Sequence, residues 1–173
     1  GAYAENGKLC FGEEEIADIS EMTVKGEHNV YDALFAIASA KLLGLKTKSI
    51  IAALKNFRGV PHRIEPVAEL GGVKFYDDSK ATNTAGAIAA IKTMSVPTVL
   101  ILGGSEKGEK YEELFKEIRR SEVKHTVITG ASRFNMFEAA GKAGLSDVTV
   151  TAKFDTAVKI AKMFAKPGDA VLL

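Results

Sequence analysis

The run at residues 77–83 brings the most chemically active side chains of this sequence together. It reads Asp-Asp-Ser-Lys-Ala-Thr-Asn, follows a strand-like segment at 73–76, and precedes an alanine-rich helical segment that begins near Thr84. A helix start offers free N–H groups and a partial positive charge, and α/β proteins bind ligands at the carboxyl ends of strands. The run therefore predicts an anion or nucleotide site, and helix capping by Asp, Ser, Thr or Asn is the alternative.

A glycine-rich loop at 103–108 is the second candidate. It reads Gly-Gly-Ser-Glu-Lys-Gly and follows the most apolar segment of the chain, at 96–102. Glycines let a backbone approach a ligand closely, and Lys107 supplies a positive charge. The loop is neither a Gly-x4-Gly-Lys-Ser/Thr phosphate loop nor a Gly-x-Gly-x-x-Gly fingerprint. A turn with a solvated lysine is the alternative interpretation.

The sequence Gly-Glu-His-Asn at 26–29 opens a predicted helix. The amide of Asn29 is placed to bind a base or a ribose from the helix start. The alternative is that Asn29 caps the helix and His28 is a surface residue.

Arg63 lies in the sequence Pro-His-Arg-Ile-Glu at 61–65, just after a predicted linker. Its guanidinium suits forked recognition of a phosphate or carboxylate, and a closing domain could deliver it to a site. If the segment is a strand, Arg63 and Glu65 share a face, and the alternative is a surface ion pair worth less than about 1 kcal/mol.

Two regions are indicated by the order of predicted elements. Residues 1–59 carry short strands at 7–12 and 16–19, a helix at 27–44 and a second helix capped by Thr47. Residues 60–173 begin with an extended segment at 63–70. Strands near 73–76, 97–103, 123–129, 147–151 and 169–173 then alternate with helices near 84–94, 110–120, 132–143 and 154–166. This alternation predicts a Rossmann-like α/β domain, with a mostly parallel sheet and helices on both faces.

The composition excludes several classes of function. The chain of 173 residues is 46% hydrophobic and has a formal net charge of +1, so no global field attracts nucleic acid or a membrane. The one cysteine, Cys10, is expected to be a small hydrophobe in a strand of a cytoplasmic protein. No cluster of His and Cys has metal-site spacing. The start at Gly1-Ala2 and the apolar end suggest a fragment of a longer chain.

In their order, these four motifs resemble the Mur ligases, and the match extends over about residues 20–173. The Asp-Ser-Lys-Ala-Thr-Asn segment is the most specific, and it is most similar to family members that add D-glutamate to UDP-N-acetylmuramoyl-L-alanine. The resemblance implies a monomeric three-domain, ATP- and Mg²⁺-dependent ligase of peptidoglycan synthesis. Residues 1–59 would end the central ATPase domain, and 60–173 would form the amino-acid-binding domain without its last element.

The resemblance also implies a mechanism and roles for single residues. ATP would convert the substrate carboxylate to an acyl phosphate, which the D-glutamate amine then attacks. The adenine would be contacted by Asn29 and Asp32, the ribose by Asp78 and a phosphate by Arg63. Lys80 would stabilise the phosphoryl transition state, and Thr82 and Lys107 would bind D-glutamate carboxylates. Asp32 stands where the family usually has Asn, and a carboxylate accepts but cannot donate a hydrogen bond.

The lack of a phosphate loop limits what this fragment can do alone. It contains no phosphate loop, so we expect it to be inactive by itself, with the metal ligands in the missing part. The alternatives are a sister Mur ligase, a ligase similar to folylpolyglutamate synthase, and a non-catalytic module that binds a small ligand.

Overall fold

The computed structural model describes residues 1–106 and 108–173, and the predicted site residue Lys107 lies outside them. The chain forms two compact units, Gly1–Gly59 and Val60–Leu173, and each is described by itself. Among the described residues, no helix has both the length and the apolar character that crossing a bilayer requires.

The first unit is a three-stranded antiparallel sheet with two helices. Strands β1 (Ala2–Glu5), β2 (Lys8–Phe11) and β3 (Glu14–Asp18) pair in chain order. A short 3-10 helix (Ile19–Glu21), α1 (Glu27–Leu42) and α2 (Thr47–Asn56) follow. Asn6 and Gly7 both have positive φ, as tight hairpin turns require, and they join β1 to β2.

The core of the first unit lies between its sheet and α1 and α2. It consists of Leu9, Ile16, Met22, Ala33, Ile37 and Ile50. Cys10 is buried in β2, which confirms its prediction as a small strand hydrophobe. Strand β1 was not predicted, because an edge strand of four residues carries little periodicity.

The two capping assignments in this unit are wrong. Helix α1 begins at Glu27 with Gly26 as its N-cap, so Asn29 lies inside the first turn. Helix α2 has Lys46 as its N-cap, and the hydroxyl of Thr47 donates to Glu14 Oε1 at 2.6 Å instead. The N-cap of α1 therefore lies three residues before Asn29, and the N-cap of α2 lies one residue before Thr47.

The second unit alternates strands and helices as the sequence predicts. Its elements are β4 (Glu65–Leu70), β5 (Val73–Asp77), α3 (Thr84–Thr93), β6 (Thr98–Leu102), α4 (Glu112–Arg120), β7 (Val123–Ile128), α5 (Arg133–Lys142), β8 (Val148–Val150), α6 (Phe154–Phe164) and β9 (Ala170–Leu172). The strand order is β4-β5-β9-β6-β7-β8, and only the edge strand β4 is antiparallel to its neighbour. The predicted fold class is confirmed.

Strand β6 shows how helices cover both faces of this sheet. Leu100 and Leu102 pack with α3, α4 and α5, whereas Val99 and Ile101 pack with α6. Connections between parallel strands are almost always right-handed. The crossovers from β5 to β6, from β6 to β7 and from β7 to β8 all run in one direction across the sheet, whereas α6 leads back from β8 to β9. Helix α6 therefore lies on the opposite face of the sheet. This return places β9 in the middle of the sheet.

The segment before β4 differs from its prediction as an extended strand. Both His62 and Ile64 have positive φ, +64° and +46°, and β4 begins only at Glu65. Arg63 therefore lies in a turn, and the expected strand face shared by Arg63 and Glu65 does not form. The carboxylate of Glu65 instead accepts from the His62 backbone N–H at 2.8 Å.

Candidate ligand site at the carboxyl edge of the sheet

A cavity of about 580 Å³ opens at the carboxyl edge of the parallel strands. Its wall is formed by the segments that follow β5, β6 and β7 and by the end of β9. The polar residues on this wall include Asp78, Thr82, Asn83, Thr84, Ser105 and Glu109. The structure thus brings the run at 77–83 and the glycine-rich loop, 20 or more residues apart in sequence, to one hollow.

Two strand-to-helix loops approach each other closely at the floor of this cavity. A Cβ on Gly103 would lie 2.9 Å from Thr129 Cγ2, and one on Gly130 would lie 2.7 Å from the backbone N of Gly104. The carbonyl of Gly104 accepts from the backbone N–H of Ala131 at 2.9 Å. Glycine is needed at 103 and 130 because any side chain there would push the loops apart.

Local turn chemistry accounts for part of the 77–83 run. Asn83 is the N-cap of α3, and its Oδ1 accepts from the Gly86 N–H at 2.8 Å. Asp77 Oδ1 accepts from the Ser79 N–H at 2.9 Å, which closes the turn after β5. Capping, the alternative interpretation, therefore describes Asn83 correctly.

Asp78 is a buried carboxylate on the cavity wall, with 6% of its surface exposed. Its Oδ1 accepts from the Ile64 N–H at 3.0 Å, and its own N–H donates to the Leu173 carbonyl at 2.7 Å. Burying a carboxylate is costly unless it is hydrogen-bonded. These bonds hold the end of β5 against both the end of β9 and the segment that carries Arg63.

His62 connects the segment before β4 to the run after β5. Its Nδ1 lies 2.7 Å from Asp77 Oδ2, and its carbonyl accepts from the Lys80 N–H at 3.0 Å. The hydrogen bond from His62 is the main reason that the pKa of Asp77 lies below its ordinary value. His62 was not among the predicted site residues, although its position beside Arg63 was a usable signal.

Ligand atoms of His62, Glu65 and Asp77 all lie within 4.8 Å of one another. By type, one imidazole and two carboxylates could hold a transition metal. In this structure Nδ1 of His62 is bonded to Asp77, and Glu65 accepts from the His62 backbone. The hydrogen bonds within this group therefore account for the closeness of the three side chains, with no need for a metal.

The three predicted cationic site residues have different positions. Arg63 and Lys80 are both exposed, and neither is among the described residues that line the cavity. Lys107 lies outside the described residues. Thr82 does line the cavity, and its N–H donates to the Lys80 carbonyl at 2.9 Å.

Two carboxylates, one within the glycine-rich loop and one just after it, accept hydrogen bonds in this region. Glu109 Oε2 accepts from the Thr84 N–H at 2.8 Å, at the first residue of α3. Glu106 accepts from Asn135 Nδ2 at 2.7 Å and from the Gly108 N–H at 3.2 Å. Glu109 lines the cavity, and Glu106 is not among its described lining residues. Neither acid was singled out from the sequence.

The two predicted adenine contacts belong to the first unit. Asn29 Nδ2 donates to the Lys25 carbonyl at 2.7 Å and lies 3.1 Å from His28 Nε2. Asp32 is exposed on α1. A side-chain amide held in this way keeps its carbonyl oxygen for a further hydrogen bond.

The fold and the cavity define an α/β domain with a hollow at the carboxyl edge of its parallel sheet, the edge at which such domains bind ligands. The chain belongs to the Mur ligase family, because residues 62–173 match the family model described as "Mur ligase, glutamate ligase domain". The family predicted from the four sequence motifs is thus confirmed.

Similarity to a curated relative extends over the whole chain. The UDP-N-acetylmuramoylalanine–D-glutamate ligase of Latilactobacillus sakei subsp. sakei (strain 23K) is 38% identical over 173 residues, which is 100% of this chain and 38% of the relative. The chain therefore spans about two fifths of the length of this relative.

Solved structures share the fold. The UDP-N-acetylmuramate–alanine ligase of Thermotoga maritima has a TM-score of 0.73 at 20% identity, over 87% of this chain and 35% of that one. A bifunctional folylpolyglutamate synthase/dihydrofolate synthase, with Mn, AMPPNP and L-glutamate bound, has a TM-score of 0.71 at 18% identity, over 98% of this chain and 41% of that one. At these identities the likeness concerns the fold alone.

Proposed function

We propose that this chain is part of an ATP-dependent ligase that adds D-glutamate to UDP-N-acetylmuramoyl-L-alanine in peptidoglycan synthesis. The observation that carries the proposal is the shared cavity of the Asp-Ser-Lys-Ala-Thr-Asn run and the glycine-rich loop. The name of the relative that matches the full chain supports the same reaction.

The two units correspond in this proposal to two domains of the longer enzyme. Gly1–Gly59 would end the central ATPase domain, and Val60–Leu173 would be the domain that binds the amino acid. The family match to residues 62–173 supports the second assignment. We propose no magnesium ligand from this chain, since its described three-residue ligand group is occupied by its own hydrogen bonds.

The amino-acid substrate is proposed to lie in the cavity. Thr82 is exposed on the wall, where its hydroxyl can donate to a carboxylate. Lys107 belongs to the glycine-rich loop, of which Gly103, Gly104 and Ser105 line the same cavity, and an ammonium on that loop would offset the negative charge of D-glutamate.

The other predicted residues are proposed to bind the nucleotide. Asp78 has one oxygen bonded to the Ile64 N–H, and a ribose hydroxyl would donate to the carboxylate. Arg63 and Lys80 are exposed cations next to His62, Arg63 in sequence and Lys80 through a backbone hydrogen bond, and their charges would suit phosphate oxygens. The assignment of Asn29 and Asp32 to adenine is supported by the family resemblance.

The reaction itself needs positioning and charge stabilisation more than covalent help from the protein. ATP, when bound, supplies the phosphoryl group that activates the substrate carboxylate. Thr82 and Lys107 would hold the D-glutamate carboxylates so that its amine faces the activated carbonyl. Lys80 and Arg63 would stabilise negative charge on the transferred phosphoryl oxygens.

A Lys107→Ala variant of a complete ligase containing this chain tests the proposal most sharply. We expect the affinity for D-glutamate to fall by about 1.5–3 kcal/mol, the usual value of a charged hydrogen bond. Lys110→Ala is the matched control, since Lys110 is an exposed cation of the same connection between β6 and α4 and is not among the described cavity-lining residues. Equal D-glutamate affinity in the two variants would show that Lys107 does not bind D-glutamate.

Phosphate release by the present chain alone addresses the domain assignment. We expect none with ATP, UDP-N-acetylmuramoyl-L-alanine and D-glutamate, because the chain contains no phosphate loop. Turnover by this chain would refute the assignment. Tight binding of D-glutamate or ATP without turnover in any longer form would instead favour a non-catalytic binding module.

A further inference from the structure

Glu109 places a carboxylate of the protein itself inside the proposed substrate cavity. It comes from the loop after β6, 25 residues beyond its partner, and its Oε2 accepts from the Thr84 N–H at 2.8 Å. Both Glu109 and Thr84 line the cavity. The contact is thus a carboxylate bound to a main-chain amide within the hollow.

The chemistry of this contact matches that of the proposed substrate. Thr84 opens α3, a helix of 10 residues, so its N–H lacks a partner within the helix and lies at the positive end of the helix dipole. Asn83 already satisfies the Gly86 N–H of the same turn. The Thr84 N–H lies two residues beyond Thr82, the proposed carboxylate ligand.

We propose that Glu109 is an internal stand-in for a carboxylate of the amino-acid substrate, which must displace it to bind. This inference rests on the function proposed above. The only ionisable side chains among the described lining residues are Asp78, Tyr111 and Glu109. Asp78 is buried and hydrogen-bonded, and burial raises the pKa of Tyr111, so Glu109 is the acid positioned to compete with an incoming carboxylate.

The competing explanation is that Glu109 only stabilises α3. Glu109→Gln separates the two, because its amide oxygen can still accept from the Thr84 N–H while the negative charge is lost. Glu109→Ala removes both the acceptor and the charge. Glu106→Gln is the matched control, since it neutralises a carboxylate of the same loop that binds Asn135 and Gly108 instead.

The test is titration of the 173-residue chain with D-glutamate, followed by the amide resonances of Thr82, Thr84 and Gly86 in NMR spectra. We expect Glu109→Gln and Glu109→Ala to bind D-glutamate about tenfold more tightly than the parent, because a like charge beside the ligand is removed. The Glu106→Gln control should bind as the parent does.

Equal affinity in the parent and both Glu109 variants would overturn the stand-in role and leave the ligase proposal intact. Absence of binding to both Glu109 variants would overturn it as well, since the vacated amide would then attract no carboxylate. The ligase proposal has a separate readout, the D-glutamate dependence of turnover in the complete enzyme, so the two failures can be distinguished. Tighter binding in Glu109→Ala alone would also overturn the stand-in role, because it would show that Glu109 hinders the ligand by its size and not by its charge.

Discussion

The imidazole Nδ1 of His62 lies 2.7 Å from Oδ2 of Asp77, and this bond connects the segment before β4 to the turn after β5. Arg63 follows His62 directly, and the Lys80 N–H donates to the His62 carbonyl. The backbone of both cations that we propose to bind phosphate, Arg63 and Lys80, is therefore positioned by His62. The same bond makes Asp77 a measurable reporter of how this segment is held.

The first prediction concerns His62→Ala. Loss of the hydrogen bond that lowers the Asp77 pKa should return that pKa toward its ordinary value. A carboxyl group whose pKa is lowered on folding stabilises the folded state at pH values above its unfolded-state pKa. This contribution is lost as the pH falls through the folded-state pKa. The acid limb of the stability curve should therefore be shallower in His62→Ala.

A carboxyl-detected NMR titration of Asp77 measures this directly. His28→Ala, in the first unit, is the control and should leave the Asp77 titration unchanged. If His62→Ala also left it unchanged, the bond would not form in solution.

The second prediction concerns the start of α3. Asn83→Ala removes the side-chain oxygen that accepts from the Gly86 N–H and should lower the free energy of unfolding by about 1 kcal/mol. Urea denaturation is the measurement, and Asn83→Ser should restore most of the loss because serine also caps helices. Equal loss in both variants would mean that Asn83 contributes through something other than capping.

The third prediction tests the close approach of the two loops beneath the cavity. Gly130 has φ +77°, and a Cβ there would lie within 2.8 Å of the Gly104 backbone, so Gly130→Ala should cost about 1–3 kcal/mol or more. Gly141→Ala, in α5 with open space around it, should be neutral or stabilising. Comparable unfolding curves for the two variants would show that the loops separate at little cost.

The fourth prediction concerns His125, which stacks on Phe164 with ring centroids 3.6 Å apart and lies 2.9 Å from Thr149 Oγ1. Burial lowers its pKa below that of a free histidine. Because the unfolded chain then takes up the proton first, stability should fall as the pH drops below about 6.5.

The His125→Phe variant keeps an aromatic ring but cannot titrate. Its stability should depend less on pH between about 7 and 5 than that of the parent, as measured by urea denaturation at a series of pH values. The same pH dependence in both proteins would assign the effect to other groups.

Much of the second unit was predictable because its signals are local. The apolar run that contains Val99 and Ile101 indicates a buried strand, and the helices alternate with it at ordinary loop lengths. Helix starts in the first unit were harder to predict, since Asn29 and Thr47 are good caps by type but lie inside their helices. The local preference of a residue type is a weak predictor, since tertiary context routinely overrides it.

The sequence by itself determined the α/β alternation, the family, and the two polar loops that meet at the cavity. Only the tertiary structure decided that β9 lies between β5 and β6, that His62 is bonded to Asp77, and that Glu109 occupies the first amide of α3. Hydrophobic period and turn residues specify elements and their ends, but they carry no information on strand order. The contact between His62 and Asp77 forms where β4 pairs with β5, and the contact between Thr84 and Glu109 forms because the strand order brings the loops after β5 and β6 to one edge of the sheet.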